Sequence, residues 1–130
     1  MLSGFKDLKV YQLAYLLTRE ISELTKHFPS EEKYSMVDQM RRASRSVPAN
    51  IAEGYRKRQY RKMFLSKMAD ADGESAEMLF WVDLARDHGY LESVVHQRLT
   101  ERYLEVGRML GGILAHPEKF APRGAPDADL

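Results

Sequence analysis

The stretch that decides the fold is QMRRASRSVPANIAEGYRKRQYRK, residues 39–62. Met40, Ala43, Val47 and Ile51 recur at steps of three, four and four, the spacing of a single helix face. Pro48 stands inside that pattern. It lacks a backbone donor and crowds the carbonyl of Ser44, so a bend is expected there, not a break. Gly54 is the expected stop. Residues 41–62 hold eight Arg or Lys and one acid, Glu53, so eight minus one gives +7 in a chain whose total is +1. With so little net charge overall, any electrostatic function must be local, and this is where it would lie.

Working outward, three more segments carry the same periodicity. From Leu8 to His27, Val10, Ala14, Leu17, Ile21, Leu24 and Phe28 share a face, and Pro29 ends the run. Ser30 reads as the N-cap of the second helix, with Glu31 and Glu32 in its first turn, where the helix dipole favours negative charge. A third helix is expected from Tyr60, with Phe64, Met68, Ala71, Ser75, Met78, Val82 and Ala85 inward and His88-Gly89 at its end. A fourth runs from Glu92 to Ala115 on Val95, Leu99, Tyr103, Val106, Leu110 and Ile113. Gly107, Gly111 and Gly112 each weaken it by about 1 kcal/mol against alanine, so fraying is expected at its end. No segment alternates with period two. The expected architecture is all-α: an antiparallel up-down-up-down four-helix bundle over residues 1–115. The Pro-rich stretch 116–130 reads as a flexible C-terminal tail.

Two runs carry more apolar surface than one bundle face can bury. They are LAYLL at 13–17 and MLFWV at 78–82. Five consecutive apolar residues cover most of a helix circumference, so part must meet another partner. Tyr15, Leu16, Phe80 and Trp81 are the candidate subunit interface, since large aromatics dominate interface energy. The alternative is a wide core face with one or two exposed side chains.

Chemistry is harder to find. There is no cysteine, which excludes disulfides, thiolate metal sites and a cysteine nucleophile, and suits a cytoplasmic setting. The N-terminus has no signal-peptide pattern, and no window reads as a membrane span. The histidines are His27, His88, His96 and His116. None belongs to the Glu-x-x-His motifs of a di-iron bundle, and no arginine precedes a histidine by the four to six residues used in some all-helical ribonucleases. There is no phosphate-cradling Gly-rich loop and no nucleophile elbow. Asp70, Glu74 and Glu77 form an acidic stripe at i, i+4 and i+7, beside which nothing supplies a nucleophile. The expectation is therefore no enzyme, no cofactor, no metal and no small-molecule substrate.

On the second helix, Gln39, Arg42, Ser46, Asn50 and Glu53 form a polar stripe, and Arg41 and Arg45 a second pair. Short polar residues are poor helix formers. The stripe is either hydrated surface or a set of hydrogen bonds that fixes how the helix packs.

The run QMRRASRSVPANIAEG, 39–54, closely resembles the signature of four-helix bundle proteins first noticed as products of intervening sequences in bacterial 23S ribosomal RNA genes. Gln39, Arg41, Arg42, Ser46, Val47, Asn50, Ile51, Ala52, Glu53 and Gly54 fall in the matching places. FKDLKVYQLA, HFP and LARDHGYL are similar to the family too, over about residues 5–115. The resemblance implies a homopentamer, a tapered barrel with a central channel. The family is also similar to the accessory variability determinant of diversity-generating retroelements, a basic pentamer that binds nucleic acid and a reverse transcriptase. In the third helix this chain departs from the pattern at Lys67, Asp70, Glu74 and Leu79, and the added acids could meet arginines of the second helix.

Two functions are weighed. In the first, the basic region binds RNA or single-stranded DNA, or a nucleic-acid enzyme. Arg41, Arg45, Arg56, Lys57, Arg58, Arg61 and Lys62 would contact phosphates, and Tyr55 and Tyr60 would stack on unpaired bases. In the second, the protein is a scaffold that binds protein partners only.

Overall fold

The computed structural model describes residues 4–120. Four helices make the bundle: α1 (Lys9–Thr25), α2 (Met36–Arg56), α3 (Arg61–Asp87) and α4 (Ser93–Ala115). Among the described residues there is no strand. Each helix packs on its neighbours in sequence, and α1 also closes on α4, so α1 and α3 occupy opposite corners.

The core follows the periodic positions. All the expected inward residues of α2 and α3 are buried, from Met40 to Ile51 and from Phe64 to Ala85. On α1 and α4 the exceptions are Leu24 and Val95, which are only partly buried. Thr25 takes the inward place at the end of α1, its hydroxyl returned to the Ile21 carbonyl at 2.7 Å.

Helix α2 runs unbroken through the buried Pro48. Proline cannot donate to the carbonyl four residues back, which would leave Ser44 O unpaired in the interior. The hydroxyl of Thr18 on α1 lies 2.7 Å from that oxygen and supplies the missing donor. The proline thus creates an acceptor that α1 fills.

Three boundaries differ from expectation. Ser30 does not cap α2. Ser30–Glu32 form a separate 3-10 turn, and α2 begins at Met36. Glu32 is instead the acceptor for Ser35 Oγ at 2.7 Å and Tyr90 OH at 2.9 Å, which tie this turn to the end of the third helix. Gly54 does not stop α2, which continues to Arg56. Gly54 is buried, and a Cβ there would stand 2.9 Å from Lys67 Cβ and 3.2 Å from Met68 Cε. The residue is glycine because α2 and α3 touch at that point. Finally, α4 reaches Ala115 intact and leads into a 3-10 turn at Pro117–Lys119. Phe120 then packs against Phe64, ring centroids 6.0 Å apart. Of the expected tail, 116–120 are therefore placed on the bundle, and 121–130 lie outside the described residues.

The end of α3 matches expectation. Gly89 has φ +79°, the Tyr90 amide donates to Ala85 O and the Gly89 amide to Arg86 O, the paired bonds of a Schellman cap.

Candidate nucleic-acid interface

Continuous in sequence, the basic cluster is divided in space. Arg41 and Arg42 lie near the start of α2 and Arg56 at its end, about 22 Å away at 1.5 Å per residue. The first group is engaged inside the protein. Arg41 is half-buried and donates through Nε to Thr25 Oγ1 at 3.0 Å and through Nη2 to Ser22 O at 3.3 Å, closing the end of α1. Arg42 donates through Nε to Gln39 Oε1 and through Nη1 to both Glu74 oxygens, each at 3.0 Å, and through Nη2 to Glu77. The indole N–H of Trp81 also donates to Glu77, at 2.9 Å. That indole bond first, and Arg42 second, hold the Glu77 carboxyl below its ordinary range, against the opposing pull of partial burial. Arg41 is thus tied to α1 and Arg42 to α3, and only Arg45 of this half is exposed without an ion pair among the described residues.

The polar stripe of α2 lies along the seam with α3. Gln39 and Arg42 meet Glu74 and Glu77, and Glu53 meets Lys67 Nζ at 3.1 Å. Two of these partners, Lys67 and Glu74, are positions where the chain departs from the pattern it resembles. The departures complete ion pairs across the seam. Asn50 is different: its Nδ2 donates to Ser46 O at 2.9 Å and to Ser46 Oγ at 3.0 Å, both on its own helix.

The second half of the cluster, at the turn from α2 to α3, is more open. Arg56 is exposed, with no ion pair among the described residues. Arg58 folds back over Tyr55, its guanidinium 4.1 Å from the ring centroid and Nη1 donating to Tyr55 O at 3.0 Å. Tyr55 itself is only 7% exposed. It continues the Val47–Ile51 row into the core, so it cannot stack on a base. Tyr60, 48% exposed at the start of α3, can. Arg61 and Lys62 both have partners within the protein, and Arg61 lies in the field of Glu118.

Sequence reasoning did not assemble the feature that lies here. Lys57, Lys62 and Lys67, with Ser66 and Met63, line a recess of about 270 Å³. Its helical members are Lys62 with Ser66 and Met63 with Lys67, two pairs at i, i+4, which is the signal that placed them on one face. Tyr60 has no side-chain cap over the first turn of α3, so the positive end of that helix dipole adds to the three lysines.

The expected interface residues divide as well. Tyr15 (49%), Leu16 (60%) and Phe80 (55%) are exposed. Trp81 is half-buried against the core with its indole bonded to Glu77, so it is a seam residue. A different polar group lies across α3 and α4, where His96 Nε2 stands 2.7 Å from Asp83 Oδ1 with Arg86 against the ring. The hydroxyl of Thr100, one turn on along α4, lies 3.4 Å from the same ring nitrogen. Among the described residues no set of His, Asp or Glu could hold a metal ion, and no helix is long and apolar enough to cross a membrane.

The sequence profile of the family described as 23S rRNA-intervening sequence protein matches residues 6–112. The fold is similar to the crystal structure of a protein of unknown function from the S23 ribosomal protein family of Bacteroides thetaiotaomicron. The two are 24% identical with a TM-score of 0.73, and the match covers 82% of this chain and 95% of that one. At that identity the likeness shows the fold. No curated protein matches the chain.

Proposed function

This chain belongs to the 23S rRNA-intervening sequence protein family, and from that premise we propose that it is a non-enzymatic, cytoplasmic scaffold that assembles as a ring, a homopentamer, and holds the backbone of RNA or single-stranded DNA at the α2–α3 turn. The observation that carries the nucleic-acid reading is the recess lined by Lys57, Lys62 and Lys67 at the start of α3, in which Lys67 is paired with Glu53, beside exposed Arg56 and Tyr60. Lysines and a helix N-terminus are a sequence-independent phosphate grip, and one exposed tyrosine adds a stacking surface. Assembly is supported by the placement of the exposed apolar residues. Tyr15 and Leu16 on α1 and Phe80 on α3 lie at opposite corners of the bundle. Two different patches on opposite sides suit a head-to-tail contact, which closes into a ring when the rotation between subunits closes and otherwise runs on as a filament. The number five comes from the family resemblance. A ring repeats the lysine recess around its axis and gains avidity.

The rival is a structural or adaptor scaffold that binds protein partners only, with no direct hold on the polyanion. The neutralisation of Arg42 by Glu74 and Glu77 favours it, because it removes charge that the sequence alone would credit to the patch. One experiment separates the two: light scattering for mass, followed by titration of a fluorescent RNA at low and raised salt, with wild type and an L16E/F80E variant. We expect an oligomer whose RNA affinity falls steeply with salt, and a monomeric variant that binds more weakly. A wild-type monomer discards the ring. An oligomer that ignores RNA at about 50 mM salt, where phosphate contacts are strongest, leaves the protein-only scaffold.

A further inference from the structure

At the other end of the bundle a second recess, of about 290 Å³, opens where α1 turns into α2. Three of its lining side chains are cationic, Lys26, Lys33 and Arg41, and none is acidic. Its floor is apolar, made by the buried Phe28 and Val37. We propose that this recess binds a small phosphate monoester, with the phosphate on Arg41 and Lys33 and an apolar or planar body on the floor.

Arg41 carries the argument. A guanidinium has five N–H donors. Thr25 and Ser22 take two of them and fix the group in place, half-buried at the mouth. The remaining donors are held in a planar fork that suits phosphate, and little side-chain freedom is left to lose on binding. Lys33 has no carboxylate partner among the described residues. Its ammonium lies over the exposed ring of Tyr34, 5.3 Å from the centroid, from which it can swing to an anion. The Ser30 hydroxyl, also at the rim, has no hydrogen-bond partner among the described residues. Lys26 is held by Glu23 at 2.9 Å in an exposed pair, so it contributes field more than contact.

The end of α1 points here, and a helix C-terminus normally repels anions. In this case its last carbonyls are already satisfied. Ser22 O accepts from Arg41, Glu23 O from the Lys26 amide, Leu24 O from the His27 amide and Thr25 O from the Phe28 amide. Glu31 and Glu32 belong to the same turn as Ser30, yet neither lines the recess. Glu32 is turned to Ser35 and Tyr90. The volume lies at the small end of ligand sites, enough for a mononucleotide-sized body and too small for a dinucleotide.

The test uses the full-length protein and adenosine monophosphate as probe, followed by calorimetry and by amide chemical shifts. Inorganic phosphate serves as competitor, and a 5′-phosphorylated strand and its unphosphorylated twin form a second arm. Saturable binding is expected, with shifts at Ser30, Lys33 and Arg41, and weakened about tenfold or more by K33E, which reverses a contacting charge. K33E alters an exposed side chain, so it tests the site without threatening the core; R41K, checked by its melting curve, tests the fork. A K57E/K62E variant should keep the binding. The proposal is overturned if the probe does not saturate, if K33E binds as wild type does, or if K57E/K62E abolishes binding. Preference for the phosphorylated strand over the free nucleotide would also overturn it, by making the site a strand-end reader.

Discussion

The two ends of α2 carry the same chemistry in sequence and opposite roles in the fold. Arg41 and Arg42 near its start, and Arg56 with the following Lys57 at its end, are adjacent cationic pairs. The first pair faces built partners: the Thr25 hydroxyl and Ser22 carbonyl of α1 on one side, Glu74 and Glu77 of α3 on the other. The second pair stands where α2 leaves the bundle, and among the described residues no acid of α3 reaches it. A charge inside a bundle is judged by the neighbouring helices, which its own sequence neighbourhood does not reveal. A run of +7 is therefore two objects, a set of clasps and a patch.

The largest expected effect breaks this comparison most directly. Removing charge at the open end, in R56A/K57A/K62A, should weaken RNA binding about a hundredfold at low salt and flatten the log–log salt slope by about 2, near 0.7 for each single-strand phosphate that is no longer neutralised. R42A should leave affinity within about twofold, because Arg42 is already neutralised. Equal weakening by both variants, read by fluorescence anisotropy at two salts, would show that the clasp arginine also reaches nucleic acid.

Next comes the seam that keeps the two ends apart. Alanine at Gly54 would bring a Cβ to 2.9 Å from Lys67 Cβ, an atom fixed to the α3 backbone. Overpacking of this kind costs about 1–3 kcal/mol, against a gain of about 1 kcal/mol in helix propensity. G54A should therefore lower the urea midpoint. A raised midpoint would mean that α2 and α3 do not approach here.

These positions also show what can be read in advance. The bundle is legible because inward residues repeat at three and four over long helices, a signal that tertiary context seldom reverses. The start of α2 is not. Ser30-Glu31-Glu32 has good capping chemistry, but Glu32 is claimed by Tyr90, 58 positions away in sequence. Gly54 looks like a stop because glycine ends many helices; its actual reason is Lys67, on another helix. Charge context suggests base stacking for Tyr55, though its step of four from Ile51 places it inward. The motif stripe is legible as polar and regular, while its partners across the seam, Lys67 and Glu74, lie on α3 and need the fold.

A smaller effect sharpens the clasp. The Glu77 carboxyl is held below its ordinary value near 4.5, by Trp81 first and Arg42 second. A depressed carboxyl stabilises the fold fully above the unfolded value and loses that contribution as pH falls through the lowered folded value. The difference in stability between wild type and R42A should be constant from pH 7 to about 5 and shrink below about 4.5. The groups are partly exposed, so the plateau should not exceed about 1 kcal/mol. A gap that widens on acidification would place the stabilising charge elsewhere.

The smallest effect concerns Asn50, the motif residue whose spacing invites the strongest claim. A buried hydrogen bond between helices would make N50A cost about 1–3 kcal/mol. The structure gives Asn50 a lesser task. Both its bonds go to Ser46, one turn back on the same helix, and the side chain is only half-buried. Water can replace such bonds when the amide is removed, and alanine is the better helix former by a few tenths of a kcal/mol. The two terms nearly cancel, so N50A should change stability by less than about 0.5 kcal/mol. E53A should cost a similarly small amount, since its pair with Lys67 is largely exposed. Melting curves at a single concentration would not separate a weak bond from a bond across subunits. The comparison has to be made at two protein concentrations. A destabilisation by N50A that grows on dilution would mean that Asn50 holds a neighbouring subunit, and the stripe would then belong to the assembly as well as to the α2–α3 seam.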